Sequence, residues 1–353
     1  MGTRLSNNNG ASISVVMPAV RVDDYVAPAI KSVLSQEGVN VELILVGPQT
    51  TDPVYGQLQE LIELRFSNDS RCVLTPRHQA GIANALNHGL SCATGDYIAR
   101  MDADDLSEPT RLKTQLATAQ RHNDHCLVSA RVKIFSTQNK VLQGNQQYET
   151  WLNDHCTPTS IRDACFVESP LPHPTWFAHK SIWNTLGSYQ HGDFPEDYDR
   201  VLSAWLHKIP MVKPEPVLLH WREHANRLTR TDQRYRREAF IQLKAQALAD
   251  TRSGLGLDTG RAVWIAGTGR NARYWYDALQ KNHVPVAGFV DLERPDAKKQ
   301  KRNKPVVSYR ELIGLLKDDL LITAITNPHA RKQLIAWSEI QGYQLGSNVI
   351  LGG

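Results

Sequence analysis

An extended apolar stretch, Asp96-Tyr97-Ile98-Ala99-Arg100-Met101, runs straight into the acidic turn Asp102-Ala103-Asp104-Asp105. Alternation along an extended chain puts Asp102 and Asp104 on the same side. Carboxylates held that close repel one another unless a cation binds them. Hard oxygen ligands suit Mg2+ or Mn2+, which take one or two carboxylates and fill their shell with water and phosphate oxygens. A nucleoside diphosphate meets that requirement. The alternative is an acidic turn that complements the N-terminus of the next helix. A second acidic group, Glu196-Asp197-Tyr198-Asp199, opens a stretch with Tyr198, Val201, Leu202, Trp205 and Ile209 at helical spacing. Taken alone, Glu196 and Asp197 need do no more than complement that helix dipole.

The elements that must position these groups alternate between strand and helix. Ile13 to Met17, stopped by Pro18, reads as a buried strand. A helix follows through Tyr25, Ala29, Ile30, Val33 and Leu34. Val41 to Val46, stopped by Gly47-Pro48, is the second strand, and a helix through Leu58, Leu61, Ile62 and Leu64 comes next. Cys72 to Leu74 is a short third strand, Gly81 to Ser91 a helix, and residues 96–101 the strand before the turn. This order specifies a doubly wound, mostly parallel sheet. Ligands bind such sheets at the carboxyl ends of the strands, where the acidic turn falls. Residues 104–122 read as one helix with Pro109 near its start, 127–135 as one strand, and 140–195 as irregular. Residues 196–208 read as an amphipathic helix, and 227–252 as an arginine-rich helix including Arg230.

Ser253 to Asp258 reads as a linker, and a new α/β pattern begins at Ala262. Its four expected strands are residues 262–267, 285–291, 320–325 and 349–351. Gly267-Thr268-Gly269 follows a strand and opens a helix, the setting a dinucleotide fingerprint requires. Asp291 ends the next strand, where a ribose-binding acid would stand. Gly267, Gly269 and Asp291 are therefore candidates for a second nucleotide site. The alternative is a protein-partner, homo-oligomer or regulatory module without cofactor. The expected organisation is a disordered N-terminus over 1–12, a first domain over 13–226, a helix and linker over 227–258, and a small Rossmann-like domain over 259–353.

A chain of 353 residues is long enough for two domains with substantial cores. A net charge of +4 gives no reason to expect a nucleic-acid partner. The five cysteines, with no Cys-x-x-Cys pair, make neither a disulfide framework nor a zinc site and suit a reducing compartment. Residues 1–12 carry no signal-peptide pattern. No stretch reaches the roughly 18 apolar residues of a membrane helix. A cytoplasmic location is expected. The basic run Lys298 to Lys304 reads as a solvated loop, or, with the arginine-rich helix, as a peripheral contact to the inner face of an anionic membrane.

Residues 81–90, Gly-Ile-Ala-Asn-Ala-Leu-Asn-His-Gly-Leu, then 93–105, Ala-Thr-Gly-Asp-Tyr-Ile-Ala-Arg-Met-Asp-Ala-Asp-Asp, and Glu108-Pro109-Thr110-Arg111-Leu112 together resemble family 2 glycosyltransferases of the GT-A fold. The resemblance covers roughly residues 12 to 230. It implies an inverting transferase that uses Mn2+ or Mg2+ and moves a sugar from a nucleoside-diphosphate sugar, a UDP-sugar being the expected donor. The acceptor would be a hydroxyl on a saccharide or a lipid-linked molecule, in surface polysaccharide or glycoconjugate synthesis. The donor would lie against Pro18, Val20, Arg77, Gly81, Asn87, Arg100, Asp102, Asp104 and Arg222. Asp104 would bind the ion between the phosphates, with His224 of Trp221-Arg222-Glu223-His224 completing its shell.

Phe194-Pro195-Glu196-Asp197 resembles the family's Glu-Asp pair, which makes Asp197 the catalytic base and Glu196 a group orienting the acceptor. The chemistry requires such a base, because the attacking hydroxyl must lose its proton as the new bond forms. His173 and Trp176, in Leu171-Pro172-His173-Pro174-Thr175-Trp176, fall on the acceptor side; the alternative for His173 is a buried structural role. One departure from the family is clear. An acidic pair commonly follows the second strand, whereas this chain has Val46-Gly47-Pro48-Gln49-Thr50. That leaves the nucleotide base open. A non-catalytic nucleotide-sugar sensor or scaffold is the alternative function. A sugar nucleotidyltransferase would need a Gly-rich basic loop after the first strand, which Pro18 to Asp23 is not.

Overall fold

The computed structural model describes residues 11–137, 140–225, 227, 232–291, 300–315 and 319–353. Of the expected disorder over residues 1–12, residues 1–10 lie outside the described residues, as do the boundary at residue 226, Arg230, Lys298 and Lys299, whereas Ser12 already opens a strand. The chain forms two units. One is Met1–Pro158, Leu171–His191 and Ile209–Leu228; the other is Thr159–Pro170, Gly192–Lys208 and Thr229–Gly353.

The first unit is built on a seven-stranded sheet in the order Cys72–Pro76, Asn40–Gly47, Ser12–Pro18, Tyr97–Arg100, Phe177–His179, Leu127–Val128, Met211–Val212. The first four run parallel, and Phe177–His179 is antiparallel to both of its neighbours. Val15, Met17, Leu43 and Leu45 pack on one face with Ala29, Ile30 and Val33 of the helix Val26–Leu34. The helix Ile82–Cys92 covers the other face. There a Cβ at Gly89 would stand 2.3 Å from Val16, so glycine sets how closely the helix approaches. With both faces covered, the central strands read as unbroken apolar runs.

Four expectations about the elements are corrected. Residues 104–122 are not one helix. Leu106–Ser107 pairs with Val217–Arg222, and the helix is Arg111–Arg121. Pro109 accounts for the break, because it disfavours helical backbone at the residue before it. Residues 127–135 are not one strand. Leu127–Val128 lies in the large sheet, whereas Arg131–Phe135 joins Leu106–Ser107 and Val217–Arg222 in a three-stranded sheet. The chain turns where Thr175 Oγ1 accepts from Ala130 N at 3.1 Å and bonds Ser129 Oγ at 2.6 Å. Residues 140–195 hold the helices Gln143–Asp154, Pro158–Ala164 and Lys180–Leu186. The arginine-rich helix starts only at Arg237 and ends at Asp250.

The second unit has a six-stranded sheet in the order Gln300–Lys301, Lys304–Ser308, Val286–Asp291, Val263–Ala266, Leu320–Thr323, Val349–Leu351. Five strands are parallel, one more than expected, and Gln300–Lys301 is antiparallel. Lys301 and Lys304 pair across Arg302 and Asn303, whose φ values are 54° and 58°. That is the mirror-image turn two-residue hairpins favour, so this half of the basic run is sheet, not loop. Trp264, Ala266, Val290, Leu321 and Val349 form the core. The helix Glu196–Leu206 also belongs to this unit and packs on Arg237–Asp250, with Tyr198 and Phe240 rings 5.1 Å apart.

Candidate functional site

In the first unit the strand order reverses between Ser12–Pro18 and Tyr97–Arg100, which are direct neighbours. Their carboxyl ends form the crevice where an open parallel sheet takes its ligands. Arg21 follows the first strand and Asp102 to Asp105 follow the second. Each of Asp102, Asp104 and Asp105 offers an oxygen within 4.8 Å of the others.

The three carboxylates have different partners. Asp102 Oδ1 pairs with Arg100 Nη2 at 2.6 Å. Asp104 Oδ2 meets His224 Nε2 at 2.8 Å and Arg21 Nη2 at 2.9 Å. Asp105 is fully buried and its Oδ1 accepts from Arg222 N at 2.8 Å, while its Oδ2 has no hydrogen-bond partner among the described residues. Burial, and then the charges of Asp102 and Asp104, hold the Asp105 carboxyl well above the usual carboxylate range. Arg100 claims Asp102, and Asp104 is the carboxylate presented beside a histidine.

Arg222 ties this turn to the strand Val217–Arg222. Its Nε donates to the Asp104 carbonyl at 2.7 Å, and its guanidinium lies 4.2 Å from the Tyr25 ring centre and 4.4 Å from that of Phe135. Beneath the turn, buried Arg111 donates from Nη2 to the Arg100 carbonyl at 2.7 Å and from Nε to Gln115 Oε1 at 3.0 Å. Burial depresses this guanidinium from its ordinary value. Arg111 thus pins the end of the strand that delivers Asp102.

The other expected donor residues fall as follows. Pro18 ends its strand, Val20 is exposed, and Gly81 has φ 107°, a conformation that favours glycine, at the cap of Ile82–Cys92. Arg77 N donates to Gly47 O at 3.0 Å, and its Nε is buried without a hydrogen-bond partner among the described residues. Asn87 is used differently from expectation. Its Nδ2 donates to Tyr189 O at 2.9 Å and its Oδ1 accepts from Tyr189 N at 2.7 Å, so the side chain clamps a backbone segment. Trp176, expected on the acceptor side, is 0% exposed and donates to Leu171 O at 3.3 Å; it is core. His173 is also buried, against Trp176 and with Nε2 2.8 Å from Tyr189 Oη, which is the structural role.

In the second unit, Glu196 and Asp197 form the first turn of Glu196–Leu206. Glu196 is 2% exposed. Tyr235 Oη lies 3.2 Å from its Oε1 and 3.3 Å from its Oε2, and Arg234 Nη1 lies 3.4 Å from Oε2. Arg234 is itself oriented by Asp232, at 2.8 Å and 3.0 Å. Burial, then the charges of Asp197 and Glu196, keep the Tyr235 phenol protonated far above its ordinary range. Asp197 is only half-buried, and its Oδ1 accepts from Tyr198 N at 2.8 Å. One carboxylate is thus locked and its neighbour is reachable.

At the glycine loop of the second unit, Gly267 has φ +109° and its N–H donates to Val290 O at 2.8 Å. Gly269 caps the helix Arg270–Lys281, and Thr268 Oγ1 donates to Asp291 Oδ2 at 2.8 Å. Thr268 thus links the glycine loop to Asp291 at the end of the neighbouring strand.

Arg21, Asp23, Asp105, Arg234 and Tyr235 are the residues sequence reasoning missed. The first two lie after a strand with no motif around them. Asp105 was within the acidic turn but its burial had no local signal. Tyr235 stands 39 positions from the glutamate it holds.

Residues 14–178 match the family described as glycosyl transferase family 2. An uncharacterized glycosyltransferase of Haemophilus influenzae is 24% identical over 251 residues, covering 70% of this chain and 76% of the relative. The putative glycosyltransferase EpsE of Bacillus subtilis is 36% identical over 128 residues, 36% of this chain and 45% of the relative. The chain therefore spans less than half of the second relative's length. Among solved structures, S. aureus TarS 1-349 in complex with UDP-GlcNAc superposes with a TM-score of 0.51 at 15% identity, covering 77% of this chain and 80% of that one. That likeness is one of fold. A mostly parallel sheet with an acidic turn at its switch point, joined to a further α/β unit, defines a GT-A-type architecture. Residues 14–178 are thus similar to the family 2 glycosyl transferases.

Proposed function

We propose that the protein transfers a sugar, with inversion, from a nucleoside-diphosphate sugar to a hydroxyl of a saccharide or lipid-linked acceptor. The observation that carries this reading is the pairing of Asp104 Oδ2 with His224 Nε2, 2.8 Å apart at the carboxyl end of the central strands. The Asp104 carboxylate oxygen suits Mn2+ or Mg2+, His224 would add a nitrogen ligand beside it, and Asp102 and Asp105 each offer a further oxygen within 4.8 Å. Asp104 and His224 would hold the ion, which when bound offsets charge growing on the leaving diphosphate.

The protein's own groups supply the rest. Arg100 fixes Asp102 toward the ribose, and Arg222 is held rigid by Tyr25 and Phe135 at the phosphate end. Asp197 takes the proton from the attacking hydroxyl, and Glu196, held by Tyr235 and Arg234, orients the acceptor. UDP is the expected nucleotide, a reading supported by the UDP-GlcNAc complex named for the similar S. aureus protein. The absence of an acidic residue at Gly47-Pro48 means that uracil would have to be held by other groups.

No helix among the described residues is long and apolar enough to cross a membrane. A peripheral contact through the arginine-rich segment would bring the protein to a lipid-linked acceptor, and co-sedimentation with anionic vesicles tests it. The activity itself is tested by incubating the protein with a panel of UDP-, GDP- and dTDP-sugars with Mn2+ or Mg2+ and measuring release of the nucleoside diphosphate. Turnover of at least one donor, lost in Asp104→Asn, supports transfer. Binding without turnover of any donor would favour a nucleotide-sugar sensor instead.

A further inference from the structure

We propose that Arg21 is a built-in counter-cation for the Asp104–His224 pair. A divalent ion must displace it, and its freed guanidinium then takes the donor diphosphate. The inference rests on the metal reading above and adds a residue to which neither the acidic turn nor the family match assigns a role.

Arg21 reaches the acidic turn from the segment after the first strand. Its Nη2 lies 2.9 Å from Asp104 Oδ2 and 3.3 Å from His224 Nε2. These are the two atoms an ion would need, so guanidinium and metal compete for the same Asp104 oxygen. The other carboxylates do not offer Arg21 the same place. Asp102 is paired with Arg100, and Asp105 Oδ1 is taken by Arg222 N. Two like charges against one oxygen exclude each other.

The side chain is also built to move. Its Nε is anchored to Asp23 Oδ2 at 2.6 Å, two residues away, while its tip holds the Asp104–His224 pair. Side-chain exposure is 39% for Arg21 against 6% for His224, so the buried partner is fixed and the exposed one is free to swing. A partly exposed ion pair is weakly held. Rotation about the Asp23 anchor keeps the guanidinium at the mouth of the crevice, where its planar fork matches phosphate oxygens. The arrangement would protect the acidic turn from free metal and favour loading of metal together with nucleotide.

The test is Mn2+ binding, followed by loss of the free-ion EPR signal, for the wild type and for Arg21→Met, Arg21→Lys and Asp23→Asn. Each is measured with and without UDP, after circular dichroism has shown that the variant is folded. Without UDP, Arg21→Met is expected to bind Mn2+ about tenfold tighter than the wild type, the factor that corresponds to about 1.4 kcal/mol. Asp23→Asn, which loosens the anchor, moves the same way by less. Arg21→Lys also does so, because an ammonium cannot hold Asp23 and Asp104 together. In the presence of Mn2+, Arg21→Met is expected to bind UDP more weakly. Equal Mn2+ affinity of Arg21→Met and wild type without UDP, while the wild type binds Mn2+ with UDP, overturns the role of Arg21 and leaves the metal reading standing. Failure of every form to bind Mn2+ under both conditions overturns the metal reading and the proposal with it.

Discussion

Arg222 Nε donates to the backbone carbonyl of Asp104 across 118 positions of sequence, at 2.7 Å. The contact joins the three-stranded sheet to the acidic turn, and the same guanidinium lies between Tyr25 and Phe135. Arg222→Lys keeps the charge but loses the planar stack and the Nε contact. A cation–π contact is worth about 0.5–1 kcal/mol where exposed and more when desolvated. The variant is expected to lose about 1–3 kcal/mol of stability in urea denaturation. No change in midpoint would show that the stack is incidental.

Asn87 serves as a clamp. Both halves of its amide are satisfied by the backbone of Tyr189. Asn87→Ala removes both amide contacts to the Tyr189 backbone and is expected to cost about 1–3 kcal/mol. Asn87→Asp loses the donor half when ionised and regains an O–H donor when protonated, so it should cost less at pH values where its carboxyl is neutral. Thermal unfolding of the two variants separates this from a role in ligand contact alone, which would leave the melting temperature unmoved.

Tyr235 holds the carboxylate next to the proposed base. Tyr235→Phe removes the hydroxyl 3.2 Å and 3.3 Å from Glu196 while keeping the ring. Glu196 then loses one of the groups that orient it, while Arg234 remains. The expected result is a fall in kcat of about tenfold with donor KM little changed, beside a stability loss of about 1 kcal/mol. Loss of stability with unchanged kcat would make Tyr235 purely structural.

How much of this was legible can be judged from particular residues. The acidic turn and the helix Glu196–Leu206 announced themselves because strand ends and apolar periodicity are local patterns. So were the strand and turn at Gly267. The partners of these groups were not legible. Arg21 is 83 positions from Asp104, and no spacing rule links residues brought together by a crossover. The helix Gln143–Asp154 buries only Leu152 fully, so its sequence lacks the apolar stripe that would have marked it. The strand Lys304–Ser308 was hidden by the lysines and arginine around its hairpin turn. Trp176 and His173 lie in a motif that suggested contact with an acceptor. His173 packs against Trp176 and Tyr189, and both motif residues lie inside the core instead.

Lys244 gives a pH signature for the second unit. It is buried, donates to Val167 O at 3.0 Å and Gly352 O at 3.4 Å, and burial pushes its ammonium down to about 8 from 10.5. Below pH 8 both folded and unfolded chains carry the proton, and the folded state bears the full cost of a buried charge. Between pH 8 and 10.5 the unfolded chain keeps the proton that the folded chain has released, so this group makes stability rise with pH. Lys244→Met removes the rise. The difference in unfolding free energy between wild type and variant, measured in urea at pH 7.5 and about pH 9.5, should therefore shift in favour of the wild type at the higher pH. A constant difference would mean that Lys244 titrates normally.

The central claim is that Asp197 is the base of a sugar transfer whose donor is held at Asp104. The most direct measurement is single-turnover release of nucleoside diphosphate by Asp197→Asn with the donor found in the nucleotide-sugar panel, alongside donor affinity by calorimetry. The account predicts a rate lower by about 10²–10⁴, the usual contribution of a positioned base, with donor affinity within about twofold of wild type, since uniform binding is untouched. Release at the wild-type rate, with donor bound as tightly as before, would contradict it.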